Sequence, residues 1–384
     1  MNLGKGVRNS LIVLLVFFIS IVSFSLFTPF KTAFQAVKGQ FQSQTGDLPS
    51  SKTPLLIRNF EYPFRPLEGP FIVAVQPGHW EVHALPDELR RLRNSTGAEH
   101  EGLREVDINL QVARALLELM AAEGWKGVLV PATVPPGLRV DAFISIHADY
   151  GNDPSLEGWK LSSPFRSSTA SRDLAKALEQ AFARMGVEQD WVRMARSLDA
   201  GNFVNPPPKS PTPPTVNMRG YFGFNYRRFE HSISPYTPAV LIELGYLTNP
   251  NDRTRLTQTP ELYARTIISG LKTYFQHYHH RNESYLTPPH YPWVSVGPES
   301  TMVYQFPTRE SSRLWVLEPG TVLLPVDEKG EWYEVFVRAK FSTGWVLKQA
   351  TQPATDPRWP MPGEGPNPPV SNGGNSSQSY SHPN

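Results

Sequence analysis

The sequence predicts an α/β domain, with a mixed, largely parallel sheet flanked by helices, followed by a small all-β barrel domain at the C-terminus. Short β-branched runs alternate with stretches of helical periodicity between about residues 70 and 280, which is the pattern of an α/β domain. Between residues 289 and 350 the pattern changes to short alternating strands separated by Pro-Gly, Lys-Gly and Thr-Gly turns. A chain of 384 residues is long enough to bury one large core and a second, smaller one.

Composition excludes several classes of protein. The chain contains no cysteine, so thiolate nucleophiles, thiolate metal sites and disulfides are ruled out. Its formal net charge is only +2, and we expect no nucleic-acid partner because no basic stripe stands out. Any metal ion must therefore be bound by His, Asp or Glu side chains.

Residues 1–30 are predicted to be an N-terminal membrane anchor or signal segment. An uncharged, mostly apolar run at residues 9–30 is long enough to cross a hydrocarbon layer as a helix. It is followed only by poor versions of a small-x-small cleavage site, which favours an uncleaved anchor. The bulk of the chain is then expected outside the cytoplasmic membrane, either anchored in it or secreted.

The polar residues 31–69 are predicted to form a linker, with ordered structure beginning near Phe71. The first strand of the α/β domain is predicted at residues 71–76. It stops at Pro77 and Gly78, which leaves His79 in a turn at the carboxyl end of the strand.

An amphipathic helix follows and is predicted to end at Gly124. Glu105 stands in its first turn, where a carboxylate is often no more than a charge favoured by the helix dipole. The apolar stripe recurs at steps of four and three; it comprises Val106, Leu110, Ala113, Leu117 and Met120.

The remaining predicted elements of this domain are a strand at residues 127–132, a strand that runs into His147, a helix at 168–186, a strand at Ala239–Ile242 and a helix at Pro260–His277. Glu243 emerges from the strand that ends at Ile242. Groups at the carboxyl ends of parallel strands meet in one crevice, so His79, His147 and Glu243 are expected to converge. A histidine at a strand end more often caps a loop or packs in the core, but two histidines and a glutamate with an open position form the ligand set of a catalytic zinc.

Four pieces of the chain resemble the zinc-dependent N-acetylmuramoyl-L-alanine amidases of the amidase-3 family. They are QPGH, EVDINL, FISIHAD and VLIELGYLTNP, in the order of the family, and the resemblance covers about residues 71–275. It implies a zinc amidase catalytic domain at 70–280, with His79, Glu105 and His147 as ligands of Zn²⁺ and Glu243 as the catalytic carboxylate. It also implies hydrolysis of the amide bond between the lactyl group of muramic acid and L-alanine in peptidoglycan, and a place in the cell envelope.

The chain departs from the family pattern around these residues. Gln76 stands where the family usually has an aspartate that would orient a metal histidine, which predicts altered metal affinity. Trp80 and Glu81 replace glycines and should make that rim of the cleft bulkier. Asp149 adds a negative charge near the metal. The segment before the His147 strand is short, and Arg139 is the candidate to replace a family arginine.

The segment at residues 203–236 is longer than the family pattern and rich in proline, so it is predicted to be a surface loop over or beside the cleft. Its aromatic residues either pack beneath the loop or form a wall that faces substrate; they are Tyr221, Phe222, Phe224, Tyr226 and Phe229. Three other histidines, His83, His100 and His231, are expected to be solvated, with His231 the one candidate for a second proton carrier.

Residues 289–350 resemble bacterial Src-homology-three modules, through the pieces VYQFPTRESS, LEPGTVLLPV, GEWYEVFV and TGWVLKQA. Such modules commonly bind cell-wall peptides or glycan. The candidate contacts here are Trp332, Tyr333 and Trp345, although aromatic residues in so small a barrel are at least as often core. Residues 351–384 are rich in Pro, Gly, Asn and Ser and are predicted to be a disordered tail.

The sequence thus favours a peptidoglycan amidase that recognises stem peptide and glycan and contacts the membrane through its N-terminal segment, with no protein partner predicted. Two alternatives stay open. One is a catalytically weak or inactive peptidoglycan-binding protein, suggested by Gln76, Trp80 and the short segment before His147. The other is a zinc metallopeptidase that acts on peptides with the same ligands.

Overall fold

The structure is a computed structural model that describes residues 62–187, 216–340 and 342–355. The predicted membrane segment, most of the predicted linker, part of the 203–236 loop and residues 356–384 lie outside the described residues. Among the helices of the described ranges, none is both long and apolar enough to cross a membrane.

A five-stranded sheet organises the N-terminal part of the described chain. In chain order the strands of this part are β1 (Ile72–Pro77), β2 (Glu99–His100), β3 (Leu103–Arg104), β4 (Lys126–Leu129), β5 (Ala142–Asp149), β6 (Lys160–Ser162) and β7 (Ala239–Tyr246). The sheet has the order β4-β1-β5-β7-β6, and β2 and β3 form a separate hairpin. Strands β4, β1, β5 and β7 are parallel, whereas β6 runs antiparallel to β7.

The described residues contain six α-helices, of which the first, second and fifth cover one face of this sheet. They are α1 (Glu105–Ala122), α2 (Thr169–Ala183), α3 (Val216–Arg219), α4 (Pro250–Gln258), α5 (Pro260–Phe275) and α6 (Glu283–Leu286). Helices α1, α2 and α5 share one core with alternate residues of the strands, such as Val73, Val75 and Ile144. The opposite face is partly covered by the chain around Phe224, whose ring centroid lies 6.3 Å from that of Phe143. The predicted mixed, largely parallel sheet flanked by helices is confirmed.

The buried face of α1 differs from the predicted stripe at its first turns. Ala113, Leu117 and Met120 are buried as predicted, but Val106 and Leu110 are only half-buried. Glu105 and Asn109 are buried in their place, with exposures of 4% and 0%. The apolar pattern was wrong there because the helix turns two polar side chains inward, towards the carboxyl end of the sheet.

Several element boundaries also differ from the predictions, since β4 ends at Leu129 rather than at residue 132 and α2 ends at Ala183 rather than at residue 186. Strand β7 does not stop at Ile242 but continues to Tyr246, so Glu243 lies within the strand. Helix α5 ends at Phe275, two residues before the predicted end. The start of α2 is capped as its sequence suggests, because the Ser168 hydroxyl accepts a hydrogen bond from the backbone N–H of Ser171.

A second, all-antiparallel sheet follows in the C-terminal part. Its seven strands are β8 (Val294–Val296), β9 (Thr301–Tyr304), β10 (Arg313–Leu317), β11 (Val322–Lys329), β12 (Trp332–Val337), β13 (Ser342–Leu347) and β14 (Thr351–Pro353), in the order β10-β9-β13-β12-β11-β8-β14. The sheet encloses its own core of mainly valine and leucine side chains. The predicted small all-β domain is confirmed.

Ordered contacts extend slightly beyond both predicted limits. The rings of Tyr62 and Phe64 lie 6.0 Å and 5.3 Å from those of Tyr226 and Tyr236, so packing begins before Phe71. At the other end, β14 pairs with β8, although the composition predicts a disordered tail from residue 351 onwards.

Candidate active site

His79 lies in the turn that ends β1. The N–H of Gly78 donates to Ile146 O at 2.7 Å, which fixes this turn against β5. His79 has a φ of 65°, in the left-handed region. Its Nδ1 is 2.7 Å from Ser95 O, and since a carbonyl only accepts, Nδ1 carries the proton. The other ring nitrogen, Nε2, lies 3.3 Å from Glu105 Oε1.

Glu105 is the first residue of α1, and its carboxylate is held by several donors. Oε2 accepts from the N–H of Ala98 at 2.8 Å. Oε1 accepts from Asn109 Nδ2 at 3.2 Å and from the N–H of Ala148 at 3.3 Å. The amino end of a helix also favours a negative charge. These contacts fix the carboxylate between the two histidines.

His147 lies on β5, on the other side of Glu105. Its Nδ1 is 3.0 Å from Glu105 Oε1. Its Nε2 is buried and has no hydrogen-bond partner among the described residues. An unpartnered polar atom in a buried position is uncommon, and a ligand supplied from outside the chain would satisfy it.

Two glycines leave room for these side chains. A Cβ on Gly78 would lie 2.4 Å from Nδ1 of His147. A Cβ on Gly97, which has a φ of +89°, would lie 2.9 Å from Glu105 Oε2 and from His79 Cδ2. Any larger residue at either position would displace the imidazoles or the carboxylate.

His79, Glu105 and His147 can therefore hold one metal ion. One ligand atom from each residue lies within 4.8 Å of the others. Two imidazoles and one carboxylate, with no thiolate, are the donor set of a catalytic rather than a structural zinc site. The unpartnered Nε2 of His147 fits such an ion.

The neighbours of Glu105 and His79 shift the pKa of each group. Burial alone would raise the pKa of Glu105, but the neighbouring imidazoles of His79 and His147 hold it well below its usual range. Burial alone would lower the pKa of His79, but the Glu105 carboxylate and the Ser95 carbonyl together raise it above its ordinary value. Glu105 is therefore ionised and could bind a metal ion through its carboxylate.

Glu243 lies next to this cluster. It is the register partner of His147 across the β5–β7 pair, so both side chains leave the same face of the sheet. Its Oε2 is buried without a hydrogen-bond partner among the described residues. Burial raises the pKa of Glu243 well above its ordinary value, and the Asp149 and Glu105 carboxylates raise it further. A carboxyl group with a raised pKa returns a proton more readily than an ordinary carboxyl group does.

A sequence model of the family described as N-acetylmuramoyl-L-alanine amidase matches residues 73–273. This match covers more than half of the 384 residues and includes His79, Glu105, His147 and Glu243. The chain belongs to this amidase family.

Solved structures of amidases are also similar to this chain. They include an N-acetylmuramoyl-L-alanine amidase of Nostoc punctiforme (17% identity, 54% of this chain, 98% of that chain, TM-score 0.35). The corresponding enzyme of Mycobacterium smegmatis matches with 17% identity, over 54% of this chain and 97% of that chain, with a TM-score of 0.36. An amidase from Clostridioides difficile matches with 18% identity, over 54% and 98%, with a TM-score of 0.34. A comparison with curated proteins found no match.

Gln76 of this amidase is hydrogen-bonded through both its amide nitrogen and its amide oxygen. Its Nε2 donates to Pro131 O at 3.0 Å, and its Oε1 accepts from Ser145 Oγ at 3.0 Å and from Tyr221 Oη at 2.6 Å. The group that orients His79 is the backbone carbonyl of Ser95. The turn thus supplies a backbone acceptor for His79, and the altered metal affinity expected from Gln76 stays a prediction.

Asp149 is not the uncompensated charge that its position after His147 suggested. Its carboxylate forms a close ion pair with Lys160 on β6. Lys160 also donates to Tyr246 Oη at 2.9 Å. No local pattern marks this lysine, because the contact depends on how β6 pairs with β7.

Arg139 lies at the wrong end of the sheet to act at the site. It precedes β5 and donates to Val140 O at 2.9 Å, whereas His147 is near the carboxyl end of that strand. His231 pairs with Glu88 at 2.8 Å instead of reaching the cluster. His83 is exposed, and His100 is half-buried beside the ring of Tyr150.

Of the five aromatic residues at 221–229, Phe224 and Phe229 are buried and the other three are half-buried. Phe229 is buried in a small cluster with Val82 and Leu89, against which Phe222 packs. Tyr221 also lies beside the cluster, because its ring centroid is 6.3 Å from that of His147. In the C-terminal sheet, Trp332 is buried, and its ring centroid lies 5.3 Å from that of Tyr304.

Proposed function

We propose that this amidase is a zinc-dependent N-acetylmuramoyl-L-alanine amidase. It would hydrolyse the amide bond between the lactyl group of muramic acid and L-alanine in peptidoglycan. The observation that carries the proposal is the convergence of His79, Glu105 and His147 within 4.8 Å, next to the buried carboxyl group of Glu243. Membership of the amidase family supports the substrate class.

His79, Glu105 and His147 would hold the zinc ion. Zinc, when bound, would polarise the scissile carbonyl and lower the pKa of a water molecule towards neutrality. Hydrogen bonds within the chain orient two of these ligands. Ser95 O fixes the ring of His79, and Asn109 together with the N–H of Ala98 fixes the carboxylate of Glu105. The protein thus supplies three ligands and leaves a position for substrate and water.

Glu243 would move the proton. Its Oε2 would accept a proton from the attacking water and deliver it to the nitrogen of the departing alanine amine. The raised pKa of Glu243 suits this double role, because a carboxyl group of ordinary pKa returns a proton poorly near neutral pH. The Oε2 is buried yet unpartnered among the described residues, so no hydrogen bond there has to be broken first.

The location of the enzyme follows from its substrate. Peptidoglycan lies outside the cytoplasmic membrane, and the apolar run at residues 9–30 would anchor or export the chain. Residues 289–350 would bind the cell wall and raise the local concentration of substrate. After cell fractionation, we expect the full-length chain in the membrane fraction and a chain that starts at residue 31 in the soluble fraction.

The reaction is tested with purified peptidoglycan and the Glu243→Gln variant. Wild type should release intact stem peptides, identified by mass, whereas Glu243→Gln should retain its metal and lose activity by about 10²- to 10⁴-fold. The exposed Glu118→Gln is the matched control and should keep full activity. Release of fragments cut within the stem peptide would instead indicate a metallopeptidase, and full activity of Glu243→Gln would overturn the role of Glu243.

A further inference from the structure

Lys160 is buried beside the carboxylates of the site. Its side chain is only 7% exposed. The ammonium group contacts Asp149 Oδ2 in a close ion pair, donates to Tyr246 Oη at 2.9 Å and lies 4.7 Å from the centroid of the Tyr246 ring. Burying a charged lysine costs free energy, which these contacts offset. An apolar residue would fill the same space without that cost, so the charge of Lys160 is expected to serve the site.

The pairing of the strands brings Lys160 to Glu243. Lys160 on β6 is the register partner of Glu243 on β7, and Glu243 is the register partner of His147 on β5. Directly opposed residues project from the same face of a sheet. The three side chains therefore form a row, with Glu243 between the histidine of the cluster and the lysine.

The backbone around Lys160 is fixed by a separate set of contacts. The Asp252 carboxylate is fully buried and accepts from the N–H of Gly158 at 2.8 Å and of Tyr246 at 2.9 Å. These bonds join the segment before β6 to the end of β7. Lys160 and its acceptor Tyr246 are thus held in place independently of the ion pair.

Two carboxylates lie beside the metal cluster and could carry the proton, those of Asp149 and Glu243. Asp149 follows His147 by two residues on β5, so its side chain leaves the same face of the sheet as His147. Asp149 is engaged by Lys160, whereas Oε2 of Glu243 has no partner among the described residues. The position of this buried ammonium group decides which carboxylate is free.

We propose that Lys160 is a positioning residue of the amidase site, which binds the Asp149 carboxylate and thereby leaves Glu243 as the free carboxylate beside the metal cluster. The inference rests on the proposed function of Glu243. In Lys160→Met, the Asp149 carboxylate loses its counter-charge and is released next to Glu243 and the cluster. In Asp149→Asn, the ammonium group loses its carboxylate and pairs with Glu243 instead.

The test is a double-mutant cycle with peptidoglycan as substrate. Each of Lys160→Met and Asp149→Asn should lower kcat by about 10- to 100-fold, with KM and metal content unchanged. The double variant should be more active than either single variant, because neither the freed carboxylate nor the freed ammonium group is left. Lys160→Arg should restore part of the activity lost in Lys160→Met. The control is Lys272→Met, which removes a half-exposed lysine paired with Glu123.

Losses that simply add in the double variant, or a Lys160→Met enzyme with wild-type kcat, would overturn the role of Lys160. If Lys160→Met does not fold, the comparison of Asp149→Asn with the double variant still tests the proposal. The double variant should fold and should have a higher kcat than Asp149→Asn. An inactive wild type would instead overturn the proposed function. The metal content and melting temperature of each variant separate a loss of folding from a loss of positioning.

Discussion

Gly78 matters to the site as much as the histidine beside it. Its backbone N–H bonds to Ile146 O, and the space where a Cβ would stand is filled by the His147 ring. The side chains of His79 and His147 can approach Glu105 together only because position 78 has no side chain. At the residue scale, the site therefore depends on the absence of a side chain at position 78 as well as on the side chains of His79, Glu105 and His147.

Gly78→Ala tests this dependence. A Cβ 2.4 Å from the His147 ring must push that ring out of its position, so we expect zinc affinity to fall by at least about 10-fold. Gly102→Ala is the control, because Gly102 has a φ of +78° but no neighbouring atom within 4 Å of the place where its Cβ would stand. It should lower stability without changing zinc affinity. Equal zinc affinities of Gly78→Ala and wild type, measured by competition with a chelator, would contradict the account.

Glu243 links the site to the pH dependence of stability in the metal-free protein. Burial and two neighbouring carboxylates raise its pKa in the folded state above that of the unfolded chain. Below the unfolded pKa of about 4.3 the group is protonated in both states and costs nothing. As pH rises above that value the unfolded chain ionises more readily, so the free energy of unfolding falls until the folded pKa is reached.

Glu243→Gln should therefore melt at a higher temperature than wild type at pH 7, with the difference vanishing near pH 4. Each kcal/mol corresponds to about 2–4 °C in a domain of this size. Thermal unfolding followed by circular dichroism in the presence of a chelator measures the difference. A difference in melting temperature that does not depend on pH, or a variant that melts at a lower temperature than wild type at pH 7, would contradict the raised pKa of Glu243.

At the scale of elements, Asp252 connects two neighbouring segments of the chain to a third that lies 94 residues away from it in sequence. Its carboxylate accepts from the N–H groups of Gly158 and Tyr246 and pairs with Arg255 at 2.6 Å. It thereby ties the first turn of α4 to the end of β7 and to the segment that leads into β6. Removing it leaves two buried N–H groups without an acceptor, which is costly.

Asp252→Ala should lower the free energy of unfolding by about 2–5 kcal/mol. Urea denaturation measures this loss. Asp87→Ala is the matched control, because the Asp87 side chain is 91% exposed in its pair with Arg93 and should contribute less than about 1 kcal/mol. Similar losses in the two variants would show that the Asp252 contacts do not stabilise the fold as described.

The alternation of strands and helices could be predicted from the sequence because the spacing of apolar residues within each segment indicates its secondary structure. The β-branched run before Pro77 and the Ser168 cap of α2 are such local signals. The antiparallel pairing of β6 with β7 could not be predicted, since three residues carry no readable pattern. The roles of Lys160 and Gly97 could not be predicted either, because they depend on contacts that only the folded chain brings together.

At the scale of the whole molecule, the C-terminal sheet packs against the segment before α2. Phe165 contacts a buried cluster of Leu324, Val326 and Phe336. Arg219 pairs with Glu334 at 2.6 Å, with both side chains 12% exposed, and its guanidinium lies 4.7 Å from the centroid of the Phe165 ring. The β11–β12 face is therefore engaged by the rest of the chain.

Arg219→Ala should lower the free energy of unfolding by about 1–3 kcal/mol, because it leaves Glu334 partly buried without a cation. Thermal unfolding is the measurement, and the double variant Arg219→Ala, Glu334→Gln should recover part of the loss. Arg281→Ala, which removes an ion pair whose side chains are 66% and 70% exposed, is the control and should change stability by less than about 1 kcal/mol. An Arg219→Ala protein as stable as wild type would show that this contact between the two parts contributes nothing.

The central claim is that His79, Glu105 and His147 hold one zinc ion that the reaction requires. The most direct measurement is the zinc content per chain of purified wild type, His147→Ala and His83→Ala, determined with the release of stem peptides from peptidoglycan. The account predicts about one zinc ion per chain and full activity for wild type and for the exposed-site control His83→Ala, with both lost in His147→Ala. Zinc bound at full stoichiometry by His147→Ala, or activity that survives without zinc, would contradict it.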